Sequence, residues 1–270
     1  YMFKFTGWIN PTVDIVPLFE TIDDLNISVS VMQKVYENKL YRNHLKSRND
    51  EQVIMLGFSD GTKDGGYFTA NWNILKAKEK LSKKSAKHGI KVKFFDGRGG
   101  PPARGGGNTH QFYSSLGDIL SSNEIQLTIQ GQTISSNFGT NHSCQYNLEQ
   151  LISSVLKSQE LNRSKALLSD NNRETMDKLS EISYQAYNDF KDHTKFLKYL
   201  EKMSTIKYYA KTNIGSRPSK RPSDSEGFDF ENLRAIPFVG GWSQLKQNVP
   251  GFYGLGSALN YFEKNNNFDK

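Results

Sequence analysis

The sequence predicts an α/β protein, with parallel strands covered by helices, on three observations. Short apolar runs alternate with helix-length amphipathic patterns. The residues just past each run are acidic, basic or amide. With 270 residues, 36% hydrophobic and 12% aromatic, the chain is large enough to bury a sizeable core. Such alternation fits either an open doubly wound sheet or part of a (β/α)8 barrel, and the length allows one large domain or two small ones.

The predicted strands are Asp14 to Phe19, Val53 to Phe58, Lys91 to Phe95 and Ile125 to Gln130. Helical patterns follow over Val29 to Tyr41 and Ala70 to His88, and another begins near Ser143. In the second, Ala70, Ile74, Ala77 and Leu81 make an apolar stripe, which leaves the lysines crowded between Lys76 and Lys93 on a solvated outer face ending at Gly89. From Asn171 to Met203 two further stripes read as helices, one of Met176, Leu179, Ile182, Ala186 and Phe190, the other of Phe196, Leu197 and Leu200. Residues 211–232 lose all periodicity in Gly, Ser, Pro, Lys, Arg and Asp, which predicts a long mobile loop, read as a basic lid over an anion site. An apolar, strand-like run follows from Ala235 to Gly240.

Charge and cysteine content narrow the partners. The net charge of +7 is concentrated in the lysine helix, which reads as solvated surface and argues against nucleic acid. No apolar run reaches the roughly 20 residues of a membrane span, and the first residues lack a signal-peptide pattern. The single Cys144 forms neither an internal disulfide nor a thiolate metal cluster, so a reducing cytoplasm is expected.

Parallel strands deliver their C-terminal ends to one face. That face receives Glu20, Ser59-Asp60, Asp96-Gly97-Arg98 and Gln130-Gly131-Gln132, a polar mouth assembled from remote segments. In the segment Phe94 to His110, the glycines Gly97, Gly99, Gly100, Gly105, Gly106 and Gly107 let backbone amides approach a phosphate closely. Arg98 and Arg104 add bidentate forks for phosphate or carboxylate. The competing reading is an arginine-glycine nucleic-acid segment, which is ordinarily repeated; this one is not. Glu20 and Asp60 suit a hard cation such as Mg²⁺ or Mn²⁺, the alternative being that each caps the next helix. Lys63 is placed to pair with Asp60 or to reach substrate. His110 reads as structural, and neither Ser59 nor Cys144 has the companions of a nucleophile.

Taken together these segments resemble the phosphoenolpyruvate carboxylase family. The resemblance is carried by Val16 to Leu25, by Met55 to Gly66, by Phe95 to Gly100 with Ala103 to Gly107, by Gly215 to Arg221 and by Asn232 to Pro237, in that order. It implies a (β/α)8 barrel elaborated with extra helices and predominantly helical overall. Residues 1–170 would be a barrel segment, and residues 171–270 a helical extension, the basic loop and a last strand and helix, together one partial domain of a longer enzyme. The implied reaction joins bicarbonate and phosphoenolpyruvate into oxaloacetate and phosphate. The resemblance implies Glu20 and Asp60 as Mg²⁺ or Mn²⁺ ligands and Arg98 and Arg234 as phosphate binders, with Gly97, Gly99 and Gly100 lining the substrate. Arg104 would attend bicarbonate or carboxyphosphate, with Lys63 and Arg217 in support. Acidic effectors such as aspartate or malate and a homotetramer are implied for the full-length family.

Three departures stand out: Asp96 where many members carry His, Phe238 where they carry Trp, and Asn108 where Pro is usual. Asp96 is read as orienting Arg98. This chain corresponds to about the C-terminal-central third of such enzymes. The catalytic histidine and another phosphate arginine are expected outside it, so the isolated chain is expected to be inactive. A non-catalytic anion-binding or regulatory module that kept the fold is the alternative.

Overall fold

The computed structural model describes residues 2–7, 12–117, 124–163, 168–209, 230 and 233–265. Its sheet has four parallel strands, β1 (Leu18–Phe19), β2 (Glu51–Leu56), β3 (Lys91–Gly99) and β4 (Gln126–Ile129), paired in the order of the chain. A doubly wound sheet reverses its strand order at a switch point; this one does not. Among the described residues β1 and β4 each pair on one side, so the sheet is a four-stranded parallel run in chain order.

Side-chain chemistry explains the layers. In β2, Gln52, Ile54 and Leu56 are buried while Glu51, Val53 and Met55 are half-buried, the period-2 pattern of a strand with one face packed on helices. The packed face joins Phe19, Phe58, Ile90 and Val92 to Leu25, Met32 and Tyr36 of helix Ile22–Glu37, to Leu45 of helix Lys39–Ser47, and to Ile74, Ala77 and Leu81 of helix Tyr67–Lys87. On the other face an ion ladder crosses three segments: Lys93 of β3 reaches Glu51 of β2 at 3.0 Å and Glu124 before β4 at 2.7 Å. These contacts hold both carboxyls below their usual range.

Helix Asp170–Lys191 packs across helix Tyr67–Lys87. Arg173 grips Glu79 with two hydrogen bonds, Asp177 accepts from Trp72 and Lys76, and Thr69 donates to the Ser180 carbonyl. The lysine helix is therefore covered on this side, not a bare solvated face. The predicted stripe of Met176, Leu179, Ile182, Ala186 and Phe190 is half-buried, whereas the buried residues of this helix are Ser180, Ser183 and Tyr187. A second aromatic core joins Phe196, Leu200, Ile206, Leu233, Phe238, Val239 and Trp242. Phe238 is fully buried there, edge-on to Phe230 and Trp242.

Four expectations shift. Only Leu18–Phe19 of the first predicted strand is extended in the sheet, because β1 pairs on one side and Val13, Ile15 and Val16 stay exposed. β2 ends at Leu56, and Phe58 starts helix Phe58–Gly65. A short helix, Gln132–Phe138, precedes helix Asn141–Arg163. The run Ala235 to Gly240 is not a strand but the start of helix Ala235–Gln244; Pro237 falls in its first turn, where the missing N–H is no loss. The predicted loop 211–232 lies outside the described residues apart from Phe230.

Candidate active site

The site is built at the C-terminal ends of the strands. Thr21 caps helix Ile22–Glu37 through a reciprocal capping box with Asp24, and the Asp24 carboxylate also takes the Glu20 N–H at 3.2 Å. The cap is therefore Thr21, and Glu20 is left just past β1 with its backbone fixed. Helix Phe58–Gly65 begins at Gly57, whose missing side chain admits Glu20: a Cβ there would stand 3.0 Å from Glu20 Cγ. A Cβ on Gly61 would likewise stand 3.2 Å from the Glu20 carbonyl oxygen, and Asp60 lies between these glycines in the first turn. Two hard oxygen donors on adjoining strand ends fit Mg²⁺ or Mn²⁺. Among the described residues no group of three or more ligating side chains gathers, so water and substrate oxygens would complete such a shell.

The arginine loop closes onto this pair. Pro102–Arg104 forms a 3₁₀ turn against helix Phe58–Gly65, and Ser59 Oγ donates to the Arg104 carbonyl at 3.2 Å. Arg104 is buried, its guanidinium resting on Gly100 and donating to Gln130 Oε1 past the end of β4 at 3.3 Å. Gly99 and Gly106 are required here: a Cβ on Gly99 would overlap the Thr128 carbonyl oxygen at 1.4 Å, and one on Gly106 the Gly100 carbonyl oxygen at 1.7 Å. Arg98 is 3% exposed and donates at 3.3 Å to the carbonyls of Gly106, Gly107 and Asn108, while its guanidinium stacks on Phe112 at 4.1 Å. Burial lowers its pKa, yet among the described residues no carboxylate forms a salt bridge with it. A cation held by neutral carbonyls keeps its charge for an anion.

Asp96 behaves differently from the expectation. Its Oδ2 accepts from Lys78 Nζ at 2.8 Å and from Tyr113 Oη at 2.9 Å, and Arg98 is not among its hydrogen-bond partners. Lys78 is 1% exposed, so this member of the lysine run is core and not surface. Burial lowers the Lys78 pKa, opposed by the Asp96 charge and hydrogen bond; burial and Asp96 both raise that of Tyr113.

Lys63 is buried, donates to the Phe230 carbonyl at 2.8 Å and lies over the Phe230 ring, tying the acidic helix to the segment before Arg234. Arg234 stands at the N-cap of helix Ala235–Gln244, which packs on helix Phe58–Gly65 and on the Pro102–Arg104 turn; its Nε is buried without a hydrogen-bond partner among the described residues. Arg217 lies outside the described residues. A cavity of about 260 Å³ opens beside the loop, lined by Arg98, Gly99, Gly100, Thr133, Asn137 and Asn147 among others.

Residue-type patterns singled out Glu20, Asp60, Arg98 and Arg104, and all four come to this face. Lys78, Tyr113 and Phe112 were missed. The signal for Lys78 was present: it falls four residues after Ile74 and three before Leu81, inside the apolar stripe.

No helix among the described residues is long and apolar enough to cross a membrane. The phosphoenolpyruvate carboxylase family profile matches residues 2–269. A phosphoenolpyruvate carboxylase of Corynebacterium glutamicum is 38% identical over 251 residues, 92% of this chain and 27% of the relative. That of Corynebacterium efficiens is 36% identical over 253 residues, and that of Corynebacterium diphtheriae 35% over 250, each covering 93% of this chain and 27% of the relative. The chain thus spans about a quarter of the length of these relatives, less than the third expected. With a profile match over residues 2–269 and relatives 35–38% identical across more than nine-tenths of it, the chain belongs to the phosphoenolpyruvate carboxylase family.

Proposed function

We propose that this chain is part of the catalytic domain of a phosphoenolpyruvate carboxylase, working within a full-length protein. The observation that carries this reading is the seating of the arginine turn Pro102–Arg104 directly on the helix that presents Asp60, beside Glu20. In this reading the four-strand arc is a sector of a (β/α)8 barrel. Glu20 and Asp60 hold Mg²⁺ or Mn²⁺, which when bound supplies Lewis-acid stabilisation of the enolate oxygen. Arg98 and Arg234 bind the phosphate of phosphoenolpyruvate. A bicarbonate oxygen attacks phosphorus and the bond from phosphorus to the enol oxygen breaks, giving carboxyphosphate and enolate. Arg104 holds the carboxyphosphate while the enolate carbon takes its carboxyl group, and phosphate leaves. Preorganised arginines stabilise charge on the moving phosphoryl group without reorganising water. Lys63 sets the Arg234 segment against the acidic helix, and the basic segment containing Arg217 closes over the site to exclude water.

Aspartate or malate as effectors, a homotetramer and a cytoplasmic site of action extend the same reading. The alternative, a non-catalytic anion-binding module, drew on Asp96; since Lys78 neutralises that carboxylate, the arginine loop keeps its charge and the enzyme is favoured. The test is carboxylation by the full-length protein with Mg²⁺, coupled to reduction of oxaloacetate to malate. Metal-dependent turnover is expected, whereas phosphoenolpyruvate binding without turnover would favour the module.

A further inference from the structure

Behind the arginine loop lies a polar cluster in which Lys78, Asp96 and Tyr113 come from three elements and meet at one buried oxygen, Asp96 Oδ2. An ion pair at this depth is poor evidence of stability, because desolvation offsets much of the Coulomb gain. Its surroundings suggest another use. Phe112, next to Tyr113, lies under both Lys78 Nζ at 5.4 Å and the Arg98 guanidinium at 4.1 Å. Asn108, which caps the helix Thr109–Ser114 carrying both rings, accepts from Arg98 through its carbonyl. Helix Tyr67–Lys87 grips the loop a second time, where Tyr67 donates to the Gly106 carbonyl at 3.2 Å. Asp96 and Arg98 are two residues apart in β3, the Asp96 charge acts on Arg98, and Asp96 Oδ1 and Arg98 Nε are both buried without hydrogen-bond partners among the described residues. A carboxylate so close to Arg98 would ordinarily claim it.

We infer that Lys78 is a positioning residue which neutralises Asp96, with Tyr113 sharing the same oxygen, so that the Arg98 charge remains available to the phosphate of the substrate. This inference rests on the phosphate-binding reading of Arg98. In its terms Asp96 and Lys78 form a compensated unit: a buried carboxylate beside Arg98 is tolerated because a buried lysine answers it. Removing the lysine charge alone turns Asp96 on Arg98. Removing both charges leaves Arg98 free again.

The test is the dissociation constant for phosphoenolpyruvate, by calorimetry on the full-length protein with Mg²⁺, in Lys78→Gln and in Lys78→Gln/Asp96→Asn. Glutamine removes the charge and keeps an N–H donor on a side chain one atom shorter, and the double variant controls for that difference in shape. K78Q is expected to weaken binding about tenfold, and the double variant to return within about threefold of the parent. A merely structural pair would not give this recovery in affinity. Parent-like affinity in K78Q, or a double variant as weak as K78Q, overturns the inference. Should K78Q fail to fold, the double variant decides by itself: folded but binding tenfold or more weakly, it overturns the inference; binding as the parent, it supports it. A parent that binds neither phosphoenolpyruvate nor inorganic phosphate refutes the functional reading itself, a separate outcome.

Discussion

At the scale of single residues, the site depends on which charges are already answered within the protein. Arg98 is held by three backbone carbonyls, Tyr67 and the Phe112 ring, with no salt bridge among the described residues, so its loss removes a cation whose charge is not already answered by a carboxylate partner. Arg98→Ala in the full-length protein is expected to lower kcat/KM for phosphoenolpyruvate about a hundredfold or more. Arg98→Lys should recover little, since an ammonium neither stacks on Phe112 as a plane nor presents a fork. Steady-state kinetics checks both. Gly99→Ala makes a backbone prediction: the added Cβ overlaps the Thr128 carbonyl, so β3 and β4 must part at that point. A thermal midpoint lower by several degrees, with faster amide exchange in Gln126–Ile129, is the expected result; an unchanged midpoint would contradict the close approach. Residue types and spacing made Arg98, Arg104, Glu20 and Asp60 legible before any fold was known. Asp96 was legible as a departure but its partner was not, because Lys78 reads as one more lysine unless its place in the apolar stripe is given more weight than its charge.

At the scale of elements, caps and close approaches aim the acidic groups. The Thr21–Asp24 box ends helix Ile22–Glu37 and also holds the Glu20 N–H, so one cap serves fold and site together. Thr21→Ala is expected to weaken the first turn by about 1 kcal/mol. The readout is faster hydrogen exchange at Asp23, Asp24 and Leu25, accompanied by weaker Mn²⁺ binding. Normal Mn²⁺ affinity alongside the faster exchange would separate the cap from the metal site. Helices Tyr67–Lys87 and Asn141–Arg163 were readable within a few residues because length and period agree. The run Ala235 to Gly240 was not. Six apolar and small residues fit a buried strand as well as a helix turn, and what decides is tertiary: Phe238, Val239 and Trp242 face one aromatic core, whereas a strand would send the adjacent Phe238 and Val239 to opposite faces.

At the scale of the whole molecule, the described chain is an arc with two open sides. β1 pairs only with β2, and β4 only with β3, among the described residues. Strand edges left unpaired are templates for association. The helix beyond β4, Asn141–Arg163, also exposes Tyr146 at 61%, Ile152 at 63% and Leu156 at 59%. With Leu148, 47% exposed, Ile152 and Leu156 fall at spacings of four and make one apolar face that suits burial against further protein. On the proposed barrel-sector reading the same geometry bears on catalysis, since an arc with two open sides leaves the arginine loop open to water, which would hydrolyse reactive intermediates. Produced alone, residues 1–270 are therefore expected to elute above monomer size in gel filtration, to bind a fluorescent apolar dye, and to show no carboxylation above background. Changing Ile152 and Leu156 together to Gln should lower dye binding and shift elution toward the monomer without restoring turnover. A monodisperse monomer that carboxylates phosphoenolpyruvate would mean that the arc is self-sufficient, and the barrel-sector reading would fall with it.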